Sequence, residues 1–97
     1  MTIEKKMENG KMILKISGRL DTQTAPELEK TMEDMEDCKE LILDMAELEY
    51  ISSAGLRVIL KAQKLMNTKG EMKLTGVNES VMEVFEITGF SDILIFE

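Results

Sequence analysis

Ser52 and Ser53 stand side by side where a mixed polar stretch gives way to an apolar helical pattern, and they are the hydroxyls best placed for chemistry. The stretch reads Asp44-Met45-Ala46-Glu47-Leu48-Glu49-Tyr50-Ile51-Ser52-Ser53-Ala54-Gly55-Leu56-Arg57-Val58-Ile59-Leu60. Serines so placed have two open uses. Either can cap the helix by accepting a bond from a free backbone N–H. Either can also be modified, because a helix N-terminus carries unpaired N–H groups and about half a positive charge, which accommodate a phosphate. Gly55 has no side chain to block a close approach, and Arg57, one turn beyond Ser53, either reaches such a phosphate or stays solvated. A hydrolase serine is excluded. The chain has no His to act as base and no Gly-x-Ser-x-Gly elbow.

Other chemistries fail for equally plain reasons. Ser52-Ser53-Ala54-Gly55 lacks the spaced glycines and the Lys of a nucleotide-binding loop. Carboxylate pairs abound, but in a chain with 19 Asp and Glu they say little about acid–base catalysis. Cys38 is the single cysteine, so no internal disulfide forms, and without His it cannot build an ordinary zinc site. A reducing compartment fits. Against those 19 acids stand 12 Lys and Arg, a net charge of −7. That balance argues against direct DNA binding or an anionic membrane surface and suits a partner with a basic docking face. The sequence has no apolar run of 18 residues, and Met1-Thr2-Ile3-Glu4-Lys5-Lys6 lacks the apolar core of a signal peptide, so a cytoplasmic protein is expected.

The 97 residues predict one α/β domain, 1–97, whose elements must position the serines. Alternation on both sides of Asn9-Gly10 predicts a hairpin with strands near 2–8 and 11–17. Thr24-Ala25-Pro26-Glu27 reads as a capping box, and Leu28, Met32 and Met35 share one face of the helix that follows. Glu27, Glu29, Glu33, Asp34, Glu36 and Asp37 form either a solvated acidic face or part of a docking surface. Glu40-Leu41-Ile42-Leu43-Asp44-Met45 suits a central strand covered on both faces, followed by a short loop through Leu48, Tyr50 and Ile51. From Ser52-Ser53 to about Thr68 the pattern is helical, with the broadest apolar side in the chain: Leu56, Val58, Ile59, Leu60, Ala62, Leu65 and Met66. Gly70 stands where a left-handed residue would end that helix. Met72-Lys73-Leu74 is a brief strand. Asn78 caps a helix to about Thr88, with Val81, Val84, Phe85 and Thr88 inside, and Gly89 ends it. Ile93-Leu94-Ile95-Phe96 reads as a last strand. The order β-β-α-β-α-β-α-β predicts a mixed, mostly parallel sheet with helices packed on it. Nine Met and no Trp suit an adaptable core with few aromatic anchors.

Three segments together resemble the STAS domain family, the bacterial anti-sigma factor antagonists and their relatives. Ile16-Ser17-Gly18-Arg19-Leu20-Asp21 with Thr24-Ala25 is similar to the family's segment ahead of its first helix. Leu41-Ile42-Leu43-Asp44 is similar to its central strand, and Tyr50-Ile51-Ser52-Ser53-Ala54-Gly55-Leu56 to its signature loop. The family loop reads roughly Asp-Ser-Ser/Thr-Gly-Leu, and the Ser after the Asp is phosphorylated. Aligned through Gly55-Leu56, that position is Ser53; Ser52 replaces the Asp and Ala54 the second hydroxyl residue. Ser52 is the alternative acceptor.

The resemblance implies a binding switch rather than an enzyme. The unphosphorylated domain would bind an anti-sigma factor that is also a serine kinase, releasing a sigma factor. Phosphorylation would end binding, and a separate serine phosphatase would reset it. ATP and Mg²⁺ would belong to the kinase, so no cofactor is expected in this chain. Asp21, Ser52, Ser53, Ala54, Gly55 and Arg57 are the expected partner-facing residues, Asp21 matching a family acidic position near the loop. Asp21 is otherwise a loop residue that caps the first helix. The alternative use of such a domain is as a scaffold or sensor in another system, in lipid transport or small-ligand binding.

Overall fold

The computed structural model describes residues 1–34 and 37–97; Met35 and Glu36, which the spacing assigns to the first helix, lie outside the described residues. Strands β1 (Thr2–Glu8) and β2 (Lys11–Leu20) form the antiparallel hairpin. Asn9 at φ 45° and Gly10 at φ 83° make its turn. After helix α1 (Ala25–Thr31) and a 3-10 turn at Met32–Asp34, strand β3 (Glu40–Ile51) lies parallel to β2. Helix α2 (Ser53–Met66) leads to β4 (Glu71–Thr75), parallel to β3, and helix α3 (Glu79–Ile87) follows. The sheet order is β1-β2-β3-β4. This is the single α/β domain with a mixed, mostly parallel sheet that the element order implies.

The central strand departs from expectation twice. Only one of its faces is buried: Leu41, Leu43 and Met45 are inside, in register with Met12 and Leu14 of β2 and Met72 and Leu74 of β4. Leu28 of α1, Ile59 of α2 and Phe85 of α3 join that same core, so the helices share one side. The opposite face is carried by ion pairs. Lys15 meets Glu47 at 2.9 Å, and Lys73 meets Glu97 at 3.3 Å and Glu40 at 3.5 Å. Ile42 looks like a second buried face in sequence, but it is half-buried beside its β2 neighbour Ile13. Nor is there a loop through Leu48, Tyr50 and Ile51. β3 stays paired to Ile51 because β2 follows it, with irregularities between Lys15 and Ser17 and between Gly18 and Arg19. Such bulges let a strand re-aim its side chains while remaining in the sheet.

The helices match their sequence signals unevenly. α2 is the most buried, through Gly55, Leu56, Val58, Ile59, Ala62, Gln63 and Met66, although Leu65 faces outward. Asn78 caps α3 by accepting from Val81 N at 2.9 Å, and its amide also donates to Leu48 O at 2.7 Å. Val81 and Phe85 are buried, whereas Thr88 is exposed and donates its hydroxyl proton to Val84 O. Gly89, at φ 80°, ends that helix as expected. Gly70 is not left-handed. It is needed for closeness: a Cβ there would lie 1.8 Å from Lys39 O. The last segment forms a single bridge, Phe96 to Leu74, instead of a full strand. A 3-10 turn at Phe90–Asp92 delivers it, and Phe96 packs against Phe85 with ring centroids 5.6 Å apart.

Candidate functional site

The site forms where β2 and β3, running parallel, end together. Leu20 pairs with Ile51, and Ser52 N donates to Leu20 O at 2.9 Å. Asp21 and Ser52 therefore leave adjacent strands at the same level of the sheet. Ser52 has extended backbone, φ −101° and ψ 175°, and its Oγ accepts from Gly55 N at 3.4 Å. Its carbonyl accepts from Leu56 N at 2.9 Å. Ser52 is thus the N-cap of α2 and is half-buried, while Ser53 is the first helical residue and is exposed. The two hydroxyls have separate places: one faces the helix backbone, the other solvent. Ala54 packs on the core, Gly55 is buried, and Arg57 is exposed four residues after Ser53.

Asp21 holds the turn before α1. Its Oδ1 accepts from Gln23 N at 3.0 Å and from Thr24 N at 3.1 Å, and its carbonyl accepts from Ala25 N at 2.8 Å. The expected capping box does not form. Thr24 bounds the helix, but its side chain makes no cap bond and its backbone is helical, at φ −97° and ψ −20°. Its hydroxyl instead accepts from Asp21 N and donates to Arg19 O, each at 2.8 Å. The carboxylate takes the turn's free N–H groups first, which leaves the hydroxyl to serve the other side.

The Thr24 backbone N–H does most to hold the Asp21 carboxyl below its ordinary 3.8; desolvation opposes it, and the Gln23 N–H, the Thr24 hydroxyl and the Arg19 charge add to the lowering. A lowered folded-state pKa gives stability that is full above the unfolded value and lost as pH falls through the folded one. Asp21→Asn should therefore unfold at a lower urea concentration than the parent at pH 7. That gap should close as pH falls below 3.8 and through the folded-state value. A gap that persisted unchanged at low pH would rule out the carboxylate as its source.

Sequence reasoning missed a neighbouring pair. The Arg19 guanidinium lies 4.1 Å from the Tyr50 ring centroid, and its Nε is 3.9 Å from Asp21 Oδ2. Tyr50 is 42% exposed, a large aromatic left at the surface beside the serines. The available signal was register. Arg19 stands two residues before Asp21 and Tyr50 two before Ser52, so parallel strands ending together place them side by side. A shallow groove between α1 and α2 continues from this end, lined by Thr22, Ala25, Pro26, Ala54, Arg57 and Val58. Among the described residues no cluster of His, Cys, Asp and Glu suits a metal ion, and no helix is long and apolar enough to cross a membrane.

The STAS domain family model matches residues 2–97, and the chain belongs to that family of non-catalytic regulatory domains. The chain is 40% identical over 88 residues to BtrV of Bordetella bronchiseptica, a candidate anti-sigma factor antagonist, across 88% of this chain and 76% of that protein. It is 32% identical over 98 residues to the anti-sigma F factor antagonist of Paenibacillus polymyxa, across 97% of this chain and 84% of that protein. Among solved structures, a candidate anti-sigma factor antagonist of Thermotoga maritima superposes with a TM-score of 0.87 at 23% identity, covering 97% of this chain and 84% of that one.

Proposed function

We propose that this chain is an anti-sigma factor antagonist whose grip on an anti-sigma factor with serine kinase activity is released by phosphorylation of Ser53. The observation that carries the reading is the division of labour between the serines: Ser52 caps α2, and Ser53 is exposed at its first position. The curated relatives' names support the antagonist role. In the proposed cycle the unmodified surface around Asp21, Ser52, Ser53, Ala54, Gly55 and Arg57 binds the kinase, which frees a sigma factor. The kinase then passes the γ-phosphoryl group of ATP to Ser53 Oγ, with release of ADP and of the hydroxyl proton. ATP and its metal stay with the kinase. A serine phosphatase restores the hydroxyl. Phosphate adds about −1.5 to −2 charges. On a chain of net charge −7 pressed against a partner, that addition opposes binding through repulsion and desolvation.

The test uses purified kinase of this type from the same genome, ATP, and mass spectrometry to place the label. Label is expected on Ser53, retained in Ser52→Ala and lost in Ser53→Ala. Label confined to Ser52 would shift the acceptor by one residue. A kinase that neither binds nor labels the chain would turn the reading toward a scaffold or sensor role. Asp21→Asn, kept folded by an amide oxygen that still accepts from the turn, should weaken kinase binding by at least about tenfold, or about 1.4 kcal/mol. Unchanged affinity would confine Asp21 to holding the turn.

A further inference from the structure

We propose that, once Ser53 is phosphorylated, Arg57 holds the phosphate within the same chain, so that the modification steadies α2 instead of loosening it. The inference rests on the Ser53 reading above and adds a residue that governs the phosphorylated state. Ser53 and Arg57 are four apart on α2, and both are exposed. Side chains at that spacing lie one above the other on a helix face, and an anion one turn ahead of a cation is the favourable order.

The neighbouring cations are already engaged. Arg19 lies over Tyr50 and near Asp21, and Lys61 is paired with Glu29. Among the described residues, Arg57 makes no ion pair. Glu29, which lines the same groove as Arg57, is paired with Lys61, and the Asp21 carboxylate is committed to Gln23 N, Thr24 N and Arg19. A guanidinium can meet two phosphate oxygens at once, while the first-turn N–H groups face the same anion from the helix end. The phosphorylated domain is then an intact fold with a changed surface. Two charges have arrived, and Arg57 is turned back from any acidic group of the partner.

The experiment needs no kinase. Phosphoserine is installed at position 53 by genetic encoding, and Tm is compared with that of the unmodified chain in three backgrounds: parent, Arg57→Gln and Lys64→Gln. Lys64, exposed near the far end of α2, controls for simple loss of a positive charge. The parent should gain about 2–5 °C on modification. The gain should fall by at least half in Arg57→Gln and persist in Lys64→Gln. No gain in the parent, an undiminished gain in Arg57→Gln, or an equal fall in both variants would overturn the proposal. Failure of a cognate kinase to label Ser53 would count against the preceding reading alone, because the phosphoserine here is installed during synthesis of the chain.

Discussion

Gly70→Ala is expected to lower the stability of the domain by at least about 3 kcal/mol, because the added methyl group meets backbone. The added Cβ would stand 1.8 Å from Lys39 O and 2.7 Å from Lys39 C, inside the contact distance of backbone atoms that no rotamer can move. Lys39 O also accepts from Glu71 N at 3.0 Å, the bond that starts β4 beside β3. Relief therefore needs the turn after α2 to shift and that bond to lengthen. For a chain of this size a loss of about 1 kcal/mol lowers Tm by about 4–8 °C, so the variant should melt more than about 12 °C below the parent. A urea midpoint equal to the parent's would show that the turn relaxes freely.

Gly55→Ala should destabilise by about 1–2 kcal/mol, with a sign opposite to that of helix propensity. On an open helix, alanine would gain about 0.5–1 kcal/mol over glycine. Here the new Cβ would lie 2.7 Å from Leu20 Cγ, 3.0 Å from Ile51 Cγ1 and 3.0 Å from Leu20 O. Leu20 is fully buried, and its carbonyl already accepts from Ser52 N. Overpacking of this kind costs about 1–3 kcal/mol, which exceeds the propensity gain. The strain falls on the strand ends that deliver Asp21 and Ser52, so kinase binding should weaken along with folding. Chemical denaturation reads the first effect and titration with the kinase the second. A stabilised variant that binds normally would show that α2 can stand farther from the sheet.

The elements most legible in sequence were those with local chemistry at both ends. Asn9-Gly10 supplies the two positive φ values of its turn, and alternation on either side does the rest. Asn78 and Gly89 bracket α3 for similar reasons. What sequence left open was decided by neighbours far along the chain. Leu41-Ile42-Leu43 reads the same whether Ile42 meets a second layer or only Ile13 across an open face. Glu47, Glu49 and Tyr50 break the apolar pattern, yet β3 continues because β2 bends with it. Thr24 and Glu27 have the spacing of a capping box, but Asp21 reaches the turn's N–H groups first. Gly70 follows a helix, as a left-handed residue would, while its real constraint is a carbonyl brought alongside from residue 39. At the site, residue types alone left Ser52 and Ser53 both open as cap or acceptor, and only the family alignment favoured Ser53, with Ser52 as the alternative. Their separation comes from the bond between Ser52 N and Leu20 O, which orients the first turn of α2.

The one-sided sheet bears on how this chain can change over generations. Core identity is demanded only at alternate strand positions such as Leu41, Leu43 and Met45, while their neighbours Glu40, Ile42 and Asp44 answer to solvent and to cross-strand charge. A letter altered on the open face leaves every core contact standing, and paired charges such as Lys15 and Glu47 can be exchanged for others of the same sum. Such a lineage can drift widely in spelling and in surface potential while the strand ends that carry the two serines hold their place. New partners can then be acquired by revising one face of the molecule without renegotiating the other.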